Sequence, residues 1–83
     1  MSYADDIRQY CKDNIIAPAR RRGEEYIVIR AGDIHKAMGY QSRMPSVCGA
    51  LGANKFEEIA GVDRVCLKGP AQGANAMFTF RIR

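Results

Sequence analysis

One histidine and three cysteines in 83 residues are too few for most of the chemistry that would make this chain an enzyme or a metalloprotein. His35 has no second histidine, cysteine pair or carboxylate at ligand spacing, so it does not read as part of a metal site. Cys11, Cys48 and Cys66 are an odd number, separated by 37 positions (11 to 48) and 18 (48 to 66). That pattern fits neither a disulfide framework nor the paired CxxC of a zinc module. Each lies among apolar residues in a periodic segment, which predicts buried thiols in a reducing compartment. No apolar run approaches the roughly 20 residues of a membrane span and no signal peptide opens the chain, so the expectation is a cytoplasmic protein with no membrane contact. Paired carboxylates, a nucleophile beside a base and a phosphate-cradling glycine loop are all lacking. Gly69 and Gly73 do not open a helix, and Cys48, with only His35 as a conceivable base, sits on an apolar stripe. The reading is a non-enzymatic chain with no cofactor and no small-molecule substrate.

Acidic residues are also lacking at one end. Up to Asp63, nine basic residues (Arg8, Lys12, Arg20, Arg21, Arg22, Arg30, Lys36, Arg43, Lys55) balance nine acidic ones; after it come Arg64, Lys68, Arg81 and Arg83 and no acid. The whole net charge of +4 therefore falls in the last quarter, which suits a polyanionic partner. Length and a hydrophobic content of 47% fit one small soluble domain over residues 1–83, too small for a deep enclosed pocket.

Tyr3, Ile7, Tyr10, Cys11 and Ile15 recur at helical spacing behind a Ser2/Asp5 cap, predicting a helix over 3–16 that Pro18 ends. Arg20, Arg21 and Arg22 before Gly23 read either as a phosphate-holding cluster or as a solvated turn balanced by Glu24 and Glu25. YIVIR, 26–30, is rich in β-branched residues and reads as a strand; its apolar run is too continuous for a strand wetted on one whole face. A helix over 32–39 buries Ile34, Ala37 and Met38, carries Asp33 in its first turn, stops at Gly39 and turns His35 and Lys36 outward.

After the turn Tyr40, Gln41, Ser42, a helix over 43–53 starts at Ser42 as N-cap, with Pro45 in its first turn. Met44, Val47, Cys48 and Leu51 form its apolar stripe. Its other face carries Arg43, Ser46, Gly49, Ala50 and Ala53. These small, mostly uncharged side chains permit close approach to a DNA groove or a partner protein. In 54–62, Phe56 and Ile59 are expected in the core, and the segment reads as either a last helical turn or an irregular connector. Strands over 64–68 and 77–82 alternate with period 2 about the loop GPAQGANA. They predict a hairpin with Arg64, Lys68, Arg81 and Arg83 on its outer side and an apolar side sealing the helices.

The order helix, strand, helix, turn, helix, hairpin is that of an α+β winged helix. At a finer level, PARRRGEEYIVIRAGDIHKAMG followed by RMPSVCGAL resembles small prokaryotic winged-helix modules found alone or beside restriction-type endonucleases, a likeness running from about Tyr10 to Ile82. The resemblance implies that AGDIHKAMG is the first helix of a helix-turn-helix, SRMPSVCGALGA the recognition helix, and Gly69 to Ala76 the wing. It implies binding of double-stranded DNA, with a role in transcription regulation or targeting. Gln41, Ser42, Arg43, Ser46 and Gly49 would lie at the recognition helix, Lys36 beside it, and Lys68, Gln72, Asn75, Arg64 and Arg81 on the hairpin. The same fold also serves protein interaction, so a partner protein or a homodimer without DNA binding is the alternative.

Overall fold

The computed structural model describes residues 3–69 and 73–83; the expected Ser2 cap and the wing residue Gln72 lie outside them. Helix α1 is built from three continuous segments, α-helical Tyr3–Cys11, π-helical Lys12–Ile16 and α-helical Ala17–Arg21. Strand β1 (Tyr26–Arg30), helices α2 (Ala31–Ala37), α3 (Met44–Gly52) and α4 (Asn54–Ala60), and strands β2 (Val62–Lys68) and β3 (Met77–Ile82) follow. The strands form one antiparallel sheet in the order β1-β3-β2. The architecture is α+β.

Helix α1 does not stop at Pro18. In the widened turn before it, the Ala17 N–H reaches the Lys12 carbonyl five residues back, and Ala17 keeps helical angles of −61° and −44°. A π turn is one of the devices by which a helix accommodates an insult to its ladder, and here proline sits in the first turn of the segment that follows it. The stop moves to Gly23, at φ +75°, whose N–H bonds the Arg20 carbonyl at 3.0 Å.

The core lies between the helices and one sheet face, around Phe56, Phe78 and Phe80. Phe56 meets Phe80 edge-on at 5.2 Å between centroids. The expected stripe of α3 is in place: Val47, Cys48 and Leu51 are buried and Met44 half-buried. Residues 54–60, undecided from sequence, are helical. They end at Gly61, which takes φ +68° and donates its N–H to the Glu57 carbonyl at 3.0 Å. Phe56 enters the core as expected, whereas Ile59 is exposed.

Several expectations about faces fail: Ala37, expected in the core, is exposed, and Cys66, expected buried, is half-buried. Strand β1 is wetted on one whole face, with Tyr26 51% and Val28 50% exposed while Ile29 opposite Phe78 is buried. Ala50 is 1% exposed, so it belongs to the core and not to an open face of α3. In β2 the register slips between Arg64 and Cys66 at the extra residue Val65, so the alternation read from sequence holds after the bulge, with Cys66 and Lys68 opposite the outward Thr79 and Met77, and is reversed before it. Arg64 therefore pairs with the inward Phe80 and Val65 is exposed at the bulge, while Leu67, although opposite the inward Phe78, is exposed as well.

Candidate functional site

The start of α3 is organised by a side chain of α2. His35 Nε2 accepts the Arg43 backbone N–H at 3.1 Å, which satisfies one of the orphan donors at the helix start. Ser42, the expected cap, instead holds the left-handed φ of +53°, and the N-cap position falls to Arg43, with no side-chain cap of its own. His35 is thus half-buried and structurally employed, not a free surface residue within reach of a phosphate. The Arg43 guanidinium lies 4.6 Å over the Tyr3 ring, with Nη2 3.4 Å from the Tyr3 hydroxyl. Tyr40 packs edge-on against Tyr3 at 5.2 Å and faces the His35 ring at 6.3 Å. Desolvation, followed by the charges of Asp6 and Tyr3, holds the Tyr40 hydroxyl above the usual tyrosine range.

Lys36, Gln41, Ser42 and Arg43 are exposed along the end of α2, the turn and the start of α3, and Ser46 is half-buried behind them. Gly49 is exposed one turn on, and a Cβ built there meets nothing within 4 Å, so this part of α3 is open to close approach.

The hairpin reaches the same region through its returning arm. Ala31 N–H donates to the Ala76 carbonyl and Gly32 N–H to the Ala74 carbonyl, both at 2.9 Å. A Cβ at Gly32 would stand 2.7 Å from the Ala74 oxygen, so only glycine permits this approach. The Cys48 thiol lies 3.9 Å from the Gly73 carbonyl, and its burial raises it above the usual thiol range. Arg30 ties the arm further: Nη1 donates to Asp33 at 2.9 Å and Nη2 to the Asn75 amide oxygen at 2.8 Å. Gly32, Arg30, Asp33 and Cys48 therefore place the loop beside α2 and α3, a role that sequence reading assigned to none of them. Their only sequence signal is a glycine near a helix start, where no turn demands one.

Several expected contacts are used internally. Arg64 Nη1 donates to the Gly52 carbonyl at 2.7 Å, at the end of α3. Arg83 Nη2 donates to the carbonyls of Glu57 at 2.8 Å and Val62 at 3.1 Å, and Arg20 Nη2 to those of Ala60 at 2.7 Å and Gly61 at 3.1 Å. Gly52 and Ala60 are the last residues of their helices, where carbonyls lack an intrahelical partner and carry partial negative charge, and Arg64 and Arg20 supply the donor; the Glu57 carbonyl takes Arg83 as a second donor beside the Gly61 N–H. Arg22 pairs with Glu24, as the solvated-turn reading expected. Arg81 is exposed on the outer sheet face, opposite Tyr26 and Asp63. Asn75 is exposed but held by Arg30, and Lys68 stands exposed at the loop end of β2. The structure groups Lys36, Gln41, Ser42, Arg43, Ser46 and Gly49 on one helix-turn-helix surface. The loop arm lies alongside it, Arg64 is tied to the Gly52 carbonyl at the last residue of α3, and Arg81 is on the outer sheet face.

Among the described residues no helix is long and apolar enough to cross a membrane, and no cluster of His, Cys, Asp and Glu could hold a metal ion. No family model matches the chain, and neither a curated protein nor a solved structure matches it.

Proposed function

We propose that this chain is a non-enzymatic winged-helix module that binds duplex DNA, with α3 entering the major groove and the hairpin loop set against the backbone. The observation that carries the reading is the docking of the loop arm on the helix-turn-helix: Gly73 against Cys48, and Ala74 against Gly32. That docking supports the reading because it sets residues 73–76 beside α2 and α3. Gly49 leaves room for a groove wall, Lys36 and Arg43 supply positive charge beside it, and Lys68 stands exposed at the loop end of β2. Arg43 is the one arginine at this helix, so base discrimination is small and affinity comes mainly from phosphates. Arg43 placed bidentately on a guanine would contribute about 1 to 3 kcal/mol.

The test is fluorescence anisotropy of labelled random duplex at low salt, repeated in rising salt. The reading expects binding that falls steeply and linearly on a log-log plot. Absence of binding at high micromolar protein overturns it.

A further inference from the structure

Tyr26, Val28 and Met77, three of the exposed large apolar side chains, stand on the outer face of the sheet. The register arranges that face in three rows across β1, β3 and β2. They are Tyr26–Arg81–Asp63 at one end, Val28–Thr79–Cys66 in the middle, and Arg30–Met77–Lys68 at the loop end. The middle row is uncharged from edge to edge. The end rows hold three cations against the carboxylate of Asp63, which pairs with Arg83 at 3.5 Å. Arg30 is tied to Asp33 and Asn75, whereas the Arg81 and Lys68 side chains are exposed and make no hydrogen bond or ion pair among the described residues.

We propose that this face binds single-stranded nucleic acid, with bases lying over Tyr26 and the uncharged row and phosphates at Arg81 and Lys68. The surplus of cations is complementary to a polyanion and opposes a like-charged surface. The apolar centre calls for flat, uncharged groups set between the charges. Unstacked bases joined by phosphates supply that alternation, whereas a duplex keeps its base faces stacked inside and presents only base edges and phosphates. Tyr26 stands directly opposite Arg81, so a base stacked on the ring brings its adjoining phosphate to the guanidinium. A polyacidic peptide would satisfy the cations and leave the ring and the middle row bare. With strands about 4.8 Å apart and a rise of about 3.3 Å per residue the face spans roughly 14 by 17 Å, room for a few nucleotides and close to the smallest single-strand sites, of about 4. One ring and two unpaired cations make the complex weak and indifferent to sequence, with a dissociation constant of about 100 µM.

The test is fluorescence anisotropy of labelled oligothymidylate and, separately, oligouridylate, each about 12 nucleotides long, at low salt with protein raised to several times that value. Binding of either strand is the expected result, and the ratio of the two tells DNA from RNA. Tyr26→Ala should weaken binding about fivefold, the low end of ring stacking, and Tyr26→Phe should restore it. Arg81→Ala should lower the log-log salt slope by about 0.7, the single-strand value for one phosphate contact. Lys36→Ala and Arg43→Ala should change neither quantity. All four positions are exposed, so the thermal melts should be retained. Absence of binding by both strands overturns the proposal. So do losses from Lys36→Ala and Arg43→Ala equal to those from Tyr26→Ala and Arg81→Ala, which would put the strand on the helix-turn-helix. Indifference to Tyr26→Ala with full displacement by polyglutamate also overturns it, in favour of an acidic protein partner. The titration contains no duplex, so its failure leaves the duplex-binding reading standing.

Discussion

Replacing Gly32 by alanine sets two physical effects of opposite sign against each other. Gly32 lies in the first turn of α2, where helix propensity alone favours alanine by up to about 1 kcal/mol. The added Cβ, however, would stand 2.7 Å from the Ala74 carbonyl oxygen, 3.0 Å from Arg30 Nη1 and 3.2 Å from the Ala74 Cβ, all inside the 3.4 Å of ordinary contact. The closest neighbour is backbone, so the loop arm must move as a unit. It carries the hydrogen bonds from Ala31 to Ala76 and from Gly32 to Ala74. Two backbone bonds at about 1 kcal/mol each, with an overpacking cost of about 1 kcal/mol or more, outweigh the propensity gain, leaving a net loss of about 2 kcal/mol. In a domain of this size that lowers the melting temperature by about 8 to 16 °C. The assay is thermal denaturation followed by far-ultraviolet circular dichroism, with Gly49→Ala as the comparison. Gly49 also lies inside a helix, yet a Cβ there meets nothing, so that variant should gain up to about 1 kcal/mol. If Gly32→Ala is as stable as Gly49→Ala, the loop arm is not packed on α2 as described.

The other predictions concern titration and helix capping. Burial pushes the Cys11 thiol up from 9.0 to about 12, so the folded state holds its proton where the unfolded chain has lost it. Stability from this group is complete below pH 9.0 and falls by about 1.4 kcal/mol per pH unit as pH rises toward about 12. Urea denaturation at intervals above pH 8.5 should give a flatter profile for Cys11→Ala; matching slopes would refute the assignment. Arg20→Met removes the donor to the Ala60 and Gly61 carbonyls and should cost about 1 to 2 kcal/mol in the same assay, against no change if the arginine is merely solvated.

Periodicity carried the long-range architecture further than the faces. The stripe Met44, Val47, Cys48 and Leu51 and the alternation of Phe78 and Phe80 were legible because each is a repeated signal, and repetition survives a local irregularity. A single insertion is invisible in such a pattern. Val65 shifts β2 by one residue, which turns Arg64 toward the helices and leaves Val65 at the surface. Pro18 does not end the helix, because the rule about the residue before proline describes a regular α-helix, and the π turn at Lys12–Ile16 changes the geometry that proline meets. The candidate site was legible at Lys36 and the turn through Arg43, which are polar residues at a helix-turn-helix. The employment of His35, Arg30 and Arg64 was not, because those hydrogen bonds join atoms that only the fold brings together. The basic excess after Asp63 also means less than its sign suggests, because Arg64 and Arg83 are committed to helix ends.

That reassignment of charge makes the binding surface testable residue by residue. Salt-dependent anisotropy of labelled duplex should be compared for Lys36→Ala and Arg43→Ala on one side and Arg64→Ala and Arg81→Ala on the other. Melting temperatures of all four identify any loss that comes from unfolding. Each of the first pair should lower the log-log salt slope by about 1, the mark of a lost phosphate contact, while the second pair leaves it unchanged. Equal losses from all four, or losses confined to Arg64 and Arg81, would contradict a DNA surface centred on the helix-turn-helix.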